Sequence, residues 1–135
     1  MAGSIHRLIY LSDVNRELFD SNALSGILKT AREKNQQLGI SGMLICDYHH
    51  FLQVLEGDKD HVSGIYDVIA HDPRHTGVKL IEAVDTDTRL FGEWAMGFSR
   101  VIESSSGKLA ELNAQEAIDL LKQYARNRDS GTAVS

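Results

Sequence analysis

Between Ile5 and Val101 the spacing of apolar residues switches between the two-residue period of a strand and the 3.6-residue period of a helix in one particular order. Ile5 to Ser12 alternates in two sets, Ile5, Arg7, Ile9, Leu11 and His6, Leu8, Tyr10, Ser12, which predicts a strand. Asn22 to Gln37 follows with Leu24, Ile27, Leu28 and Ala31 at the i, i+3, i+4, i+7 spacing of one helical face, and Gly39 ends that helix. Ile40–Asp47 and Phe51–Glu56 read as two strands joined through Tyr48-His49-His50 into a hairpin. Asp58 is a candidate N-cap for a second helix that reaches His71, with Val62, Ile65, Tyr66 and Ile69 on its apolar face and Pro73 as its stop. Val78–Asp85 and Glu93–Val101 complete the series as strands four and five.

The order β-α-β-β-α-β-β predicts an α+β chain with a ferredoxin-like sheet and two helices on one face. Residues 1–101 would form that unit. Residues 102–135 would add a polar linker at Glu103-Ser104-Ser105-Ser106-Gly107, an amphipathic helix through Ala114, Ala117, Ile118, Leu121 and Tyr124, and a tail expected to be disordered from Arg128. The last helix is free to cover the other face of the sheet. The 34 residues after Val101 are too few for a second catalytic domain.

Composition narrows the function. At 135 residues, 42% hydrophobic and 24% charged, the chain can bury one core of useful size. A net charge of −5 with no basic stripe argues against nucleic acid or an anionic membrane as partner. No apolar run approaches the ~20 residues that span a bilayer, and Met1-Ala2-Gly3-Ser4 leads into a strand without a signal-peptide pattern, so a cytoplasmic protein is expected. The lone Cys46 cannot form an internal disulfide and reads as a small buried hydrophobe. No Walker loop, GxGxxG, CxxC or HExxH is present, and no histidine is placed to join Ser12 and Asp13 in a triad. Neither an enzyme nor a metal site is expected; His49 and His50 read as exposed turn residues.

The informative positions are polar residues where the pattern asks for apolar ones. Eleven steps of 100° bring Asn35 within about 20° of Leu24, so it either extends the buried stripe of the first helix or belongs to a frayed helix end. Gln53 shares a strand face with Phe51 and Leu55, and a buried amide left unpaired costs about 1–3 kcal/mol, so it needs partners. Those partners are either core structure or a ligand. Tyr10 shares a face with Leu8 and needs a partner for its phenol; strands one and three are neighbours in a ferredoxin-like sheet, so Tyr10 and Gln53 can meet. Trp94, Met96 and Phe98 share one face of the fifth strand, as core or as something more. Asp72-Pro73-Arg74-His75 is either a solvated loop or a holder for an anionic group.

Jointly these segments resemble the BLUF family, sensors of blue light using flavin. The resemblance is carried by Arg7-Leu8-Ile9-Tyr10-Leu11-Ser12, by Asn35 with Leu38-Gly39-Ile40-Ser41-Gly42-Met43-Leu44, by Phe51-Leu52-Gln53-Val54-Leu55-Glu56-Gly57, by Asp72-Pro73-Arg74-His75 and by Trp94-Ala95-Met96. It implies a non-covalently bound flavin, usually FAD with FMN or riboflavin admissible, lying between the two helices. Asn35 and Gln53 would bond its polar edge, Tyr10 would bond Gln53, Ile27 would pack on the ring, and Asp72, Arg74 and His75 would lie near its outer part. Several relatives carry a basic residue on the second helix where this chain has Val68. The resemblance further implies light-driven electron and proton transfer from Tyr10 through Gln53, with Trp94 and Met96 reading out the change. The signal would go to an unidentified downstream protein, with the sensor in a homo-oligomer. The alternatives are a ferredoxin-like ligand-binding or interaction module without photochemistry, and a flavin-dependent redox enzyme, for which no substrate site is visible.

Overall fold

The computed structural model describes residues 5–14, 21–46, 50–72, 75–92, 97–100 and 113–128. Its elements are β1 (Ile5–Val14), α1 (Ser21–Leu38), β2 (Ser41–Cys46), β3 (His50–Gly57), α2 (Lys59–Ala70), β4 (His75–Thr86), β5 (Gly97–Arg100) and α3 (Ala114–Arg128). The sheet runs β4-β1-β3-β2-β5. Its first four strands are antiparallel and β5 adds to β2 in parallel, which is the expected ferredoxin-like order with one strand more.

Alternation along the central strands divides the interior in two. On one face Leu8, Tyr10, Leu44, Cys46, Phe51 and Leu55 pack under Leu28 of α1 and Val62 of α2. On the other, Ile9, Leu11, Met43, Ile45, Leu52 and Val54 pack with Phe91 and with Ala117 and Leu121 of α3. β2 and β3 are therefore buried along almost their whole length, and Cys46 is interior. Each such Leu, Ile, Val or Phe removed from water contributes about 1.5–3 kcal/mol before chain entropy is counted.

Local chemistry fixes the ends of the helices that frame the cleft between them. At the end of α1, Gly39 takes φ +68° and the Ile40 amide donates to the Asn35 carbonyl at 2.8 Å, a Schellman closure in which Ile40 also seats its side chain in the core. Apart from its two chain neighbours, nothing lies within 4 Å of where a Cβ on Gly39 would stand. Gly39→Ala should therefore cost only the left-handed backbone penalty, about 1–2 kcal/mol, measured as a lowered urea midpoint with unchanged slope; an unshifted midpoint would contradict this. Asp58 caps α2 by accepting from the Asp60 and His61 amides at 3.1 and 3.4 Å. At α3, Asn113 accepts from the Glu116 amide at 2.8 Å while Glu116 accepts from the Asn113 amide at 3.0 Å, a reciprocal capping box.

Three expectations change. β1 runs on to Val14, so Asp13 falls in register with His50 and the two side chains pair at 3.5 Å. His50 is thus a partly buried strand residue rather than part of an exposed turn. β4 starts at His75 rather than Val78 because His75 pairs with Val14, which puts His75 at the head of a strand rather than in a loop. β2 begins at Ser41, since Ile40 is used to close α1. Pro73, Arg74, Trp94, Met96 and the linker at 103–107 lie outside the described residues.

Candidate functional site

A cleft of about 310 Å³ opens between α1 and α2 above the sheet. α1 contributes Thr30, Ala31, Lys34, Asn35 and Leu38 to its walls. α2 contributes His61, Gly64, Ile65, Val68 and Ile69, spaced so that one helical face looks into it. Leu44, Leu55, Tyr10 and Gln53 form the floor, and Asp72 closes one end. The volume is at the lower end of the ~300–1,000 Å³ typical of ligand pockets, and apolar walls with a few convergent polar groups are the usual composition of such sites.

The polar groups at the floor are deeply set. Tyr10 and Gln53 are cross-strand partners in the β1–β3 register, so the pairing of two central strands brings them together. The Tyr10 phenol donates to Gln53 Oε1. Tyr10 is fully buried and Gln53 is 5% exposed. Burial, reinforced by Tyr66 and Asp72, pushes the Tyr10 phenol far above its ordinary pKa, so it stays a neutral donor across the whole working range. Asn35 is 1% exposed, which settles its position: it extends the buried face of α1 rather than fraying.

The structure brings Tyr10, Asn35, Gln53 and Asp72 to one cleft. For Ile27 and His75 the backbone alone is described; Arg74, Trp94 and Met96 are not. Val68, which is 66% exposed, stands at the rim. Sequence reasoning missed Lys34, His61 and Gly64 as lining residues; Tyr66, expected on the apolar face of α2, packs there with its ring meeting that of Tyr10 edge-on, centroids 5.7 Å apart. The spacing of Ile65 and Ile69 with His61 was the available signal for His61. Nothing in one sequence marked Gly64 as cleft wall.

A slot with apolar sides suits a flat ring system. Two amides and a phenol, Asn35 in the wall and Gln53 and Tyr10 at the floor, can meet a ring edge that mixes acceptors with an N–H, since each amide offers both donor and acceptor ends. The donor set therefore fits an isoalloxazine. Among the described residues there is no cluster of His, Cys, Asp and Glu able to hold a metal ion, and no helix long and apolar enough to cross a membrane.

Fold and cleft together define a binding domain suited to a planar heteroaromatic cofactor. The family described as "Sensors of blue-light using FAD" matches residues 5–97, and the chain belongs to this BLUF family: it is a blue-light photoreceptor domain that uses flavin. It is 37% identical over 90 residues to a photoactivated adenylate cyclase subunit beta from Euglena longa, covering 66% of this chain and 10% of that protein. It is 32% identical over 89 residues to the blue light- and temperature-regulated antirepressor BluF of Escherichia coli, covering 66% of this chain and 22% of that one. The chain thus spans about a tenth of the cyclase subunits it matches. Among solved structures it is similar to BlrB, a BLUF protein in its dark state, with TM-score 0.77 and 25% identity over 94% of this chain and 98% of that one. It is also similar to the BlsA ground state, with TM-score 0.77 and 27% identity over 89% and 87%.

Proposed function

We propose that this domain detects light through a relay from Tyr10 to Gln53, with the buried hydrogen bond between them as the observation that carries the reading. A bound oxidised flavin supplies acceptor atoms along one ring edge and, on absorbing blue light, an oxidant able to draw an electron from a phenol. Tyr10 is the electron donor, and its phenolic proton leaves Oη along the bond to Gln53 Oε1. Gln53 suits a relay because its amide can accept at Oε1 and donate at Nε2. When electron and proton return to Tyr10, the amide is left turned or tautomerised, presenting a different end to the cleft. The changed hydrogen bonding shifts absorption to the red, with no net redox change and no substrate turned over.

Asn35 holds the same polar edge, and Ile27 packs on the ring. Asp72, Arg74 and His75 serve its outer part, where Val68 in place of a basic residue leaves FAD, FMN and riboflavin all admissible. Trp94 and Met96, on the approach to β5, read out the new state of Gln53. The domain passes its signal by contact to a downstream protein, as a cytoplasmic homo-oligomer. Both named relatives couple light to an output, one a cyclase and one an antirepressor.

The deciding experiment is an absorption spectrum of the purified protein in darkness, after blue light and during dark recovery. A yellow protein whose flavin bands move to the red and return is expected. A spectrum unchanged by illumination would refute the relay.

A further inference from the structure

Glu56 is fully buried, three residues along β3 from Gln53 and on the opposite face of the sheet. A carboxyl group in such a place is costly unless its oxygens are satisfied. It stands in register with Arg7 on β1 and Ser41 on β2, so a polar row crosses the sheet beneath the apolar core of that side. Arg7 Nε lies 3.8 Å from one carboxyl oxygen, and Ser41 Oγ donates to the other at 3.5 Å. The two shortest bonds, however, leave the sheet. The Leu90 amide donates to Oε2 at 2.8 Å and the Phe91 amide to Oε1 at 2.9 Å. Arg89 closes the same turn by donating to Ser41 Oγ at 3.0 Å and to the Glu56 carbonyl at 3.2 Å.

The turn held in this way belongs to the segment that leads from β4 toward β5. Phe91 is 2% exposed, and its ring packs in the same cluster as Ala117 and Leu121 of α3. A continuous physical connection therefore runs from the floor of the cleft to the helix on the far side. It passes from Gln53 along a strand paired on both edges, through the Glu56 carboxyl to two backbone amides, and through the apolar cluster that Phe91 shares with Ala117 and Leu121 of α3. A displaced β3 cannot keep bonds of 2.8 and 2.9 Å without moving the turn, because close-packed interiors transmit displacements rather than absorb them.

We infer that Glu56 is a positioning residue that couples the light-driven change at Gln53 to α3, by clasping the Leu90–Phe91 turn; this presupposes the Tyr10–Gln53 photochemistry proposed above. It holds no cofactor and takes no part in the electron or proton transfer.

The test is hydrogen exchange of the full chain loaded with FAD, in darkness and under steady blue light, read alongside the flavin spectrum. In the parent, amides of Ala117 to Leu121 should exchange at rates that differ about fivefold or more between the two conditions, the lower end of ordinary coupling between sites. Glu56→Gln keeps the shape but replaces one acceptor oxygen with an NH2. It should keep the red shift, lose dark-state protection at Leu90 or Phe91, and lose the light–dark difference at α3. Arg89→Ala, which leaves the buried carboxyl untouched and changes an exposed residue, should weaken the α3 difference with the red shift intact. A merely structural role would alter protection equally in light and dark. An α3 difference that survives in both variants, or a parent that shifts its spectrum without any change at α3, overturns the coupling. A parent without a red shift overturns the photochemical reading and the coupling with it.

Discussion

Gln53→Leu should bind flavin and show no light-induced red shift at all. Leucine preserves volume and the apolar floor, so the slot between α1 and α2 stays intact for the ring. What disappears is the amide, and with it the acceptor of the Tyr10 phenol and the group able to exchange its two ends. The variant should also be less stable. Tyr10 is fully buried, and depriving its hydroxyl of Gln53 Oε1 costs about 1–3 kcal/mol. Illuminated difference spectra and a urea melt on one preparation measure both effects. A normal red shift from this variant would mean that the signal arises elsewhere in the cleft.

Tyr10→Phe tests the proposed donor separately from the proposed relay. The ring stays in the core against Tyr66, while the phenolic proton and the readily oxidised oxygen are gone. The red-shifted state should fail to form although Gln53 is still present, and the lost bond should lower stability by about 0.5–1.5 kcal/mol. A photocycle like the parent's would show that another side chain gives up the electron. There is a matching expectation for pH in the parent. Because burial drives the Tyr10 phenol far above the ordinary value of about 10, its neutral form persists through alkaline pH. The size of the red shift should not titrate with the ordinary phenol value; a loss centred there would indicate a solvent-exposed donor.

Most of the fold was legible because it is written in periodicity. The switch of period at Gly39, the cap at Asp58 and the alternation along Phe51–Leu55 each depend on residues close in sequence, and each appears as read. The ambiguity at Asn35 could not be resolved from angle alone, since a residue three places from a helix end can face inward or fray; packing settled it. His50 was misread because its partner Asp13 is brought to it only by strand register, which no local pattern reveals. Glu56 escaped notice for the same reason. Next to Gly57 it looks like a polar strand end, and its partners Leu90 and Phe91 lie more than thirty positions away. Tyr10 and Gln53 were each ordinary alone and gained meaning only as a pair held across β1 and β3.

The sheet keeps two oily compartments apart, one beneath α1 and α2 and the other beneath α3. On the reading proposed above, side chains that tune the colour of the pigment and side chains that shape the message to the outside occupy different rooms, with the strands as the party wall. Substitutions in separate compartments, sharing no contacts, tend to add rather than interfere. Away from β3 and the Glu56 clasp that join the two compartments, spectral tuning and output strength can therefore diverge separately, by natural drift or by deliberate redesign.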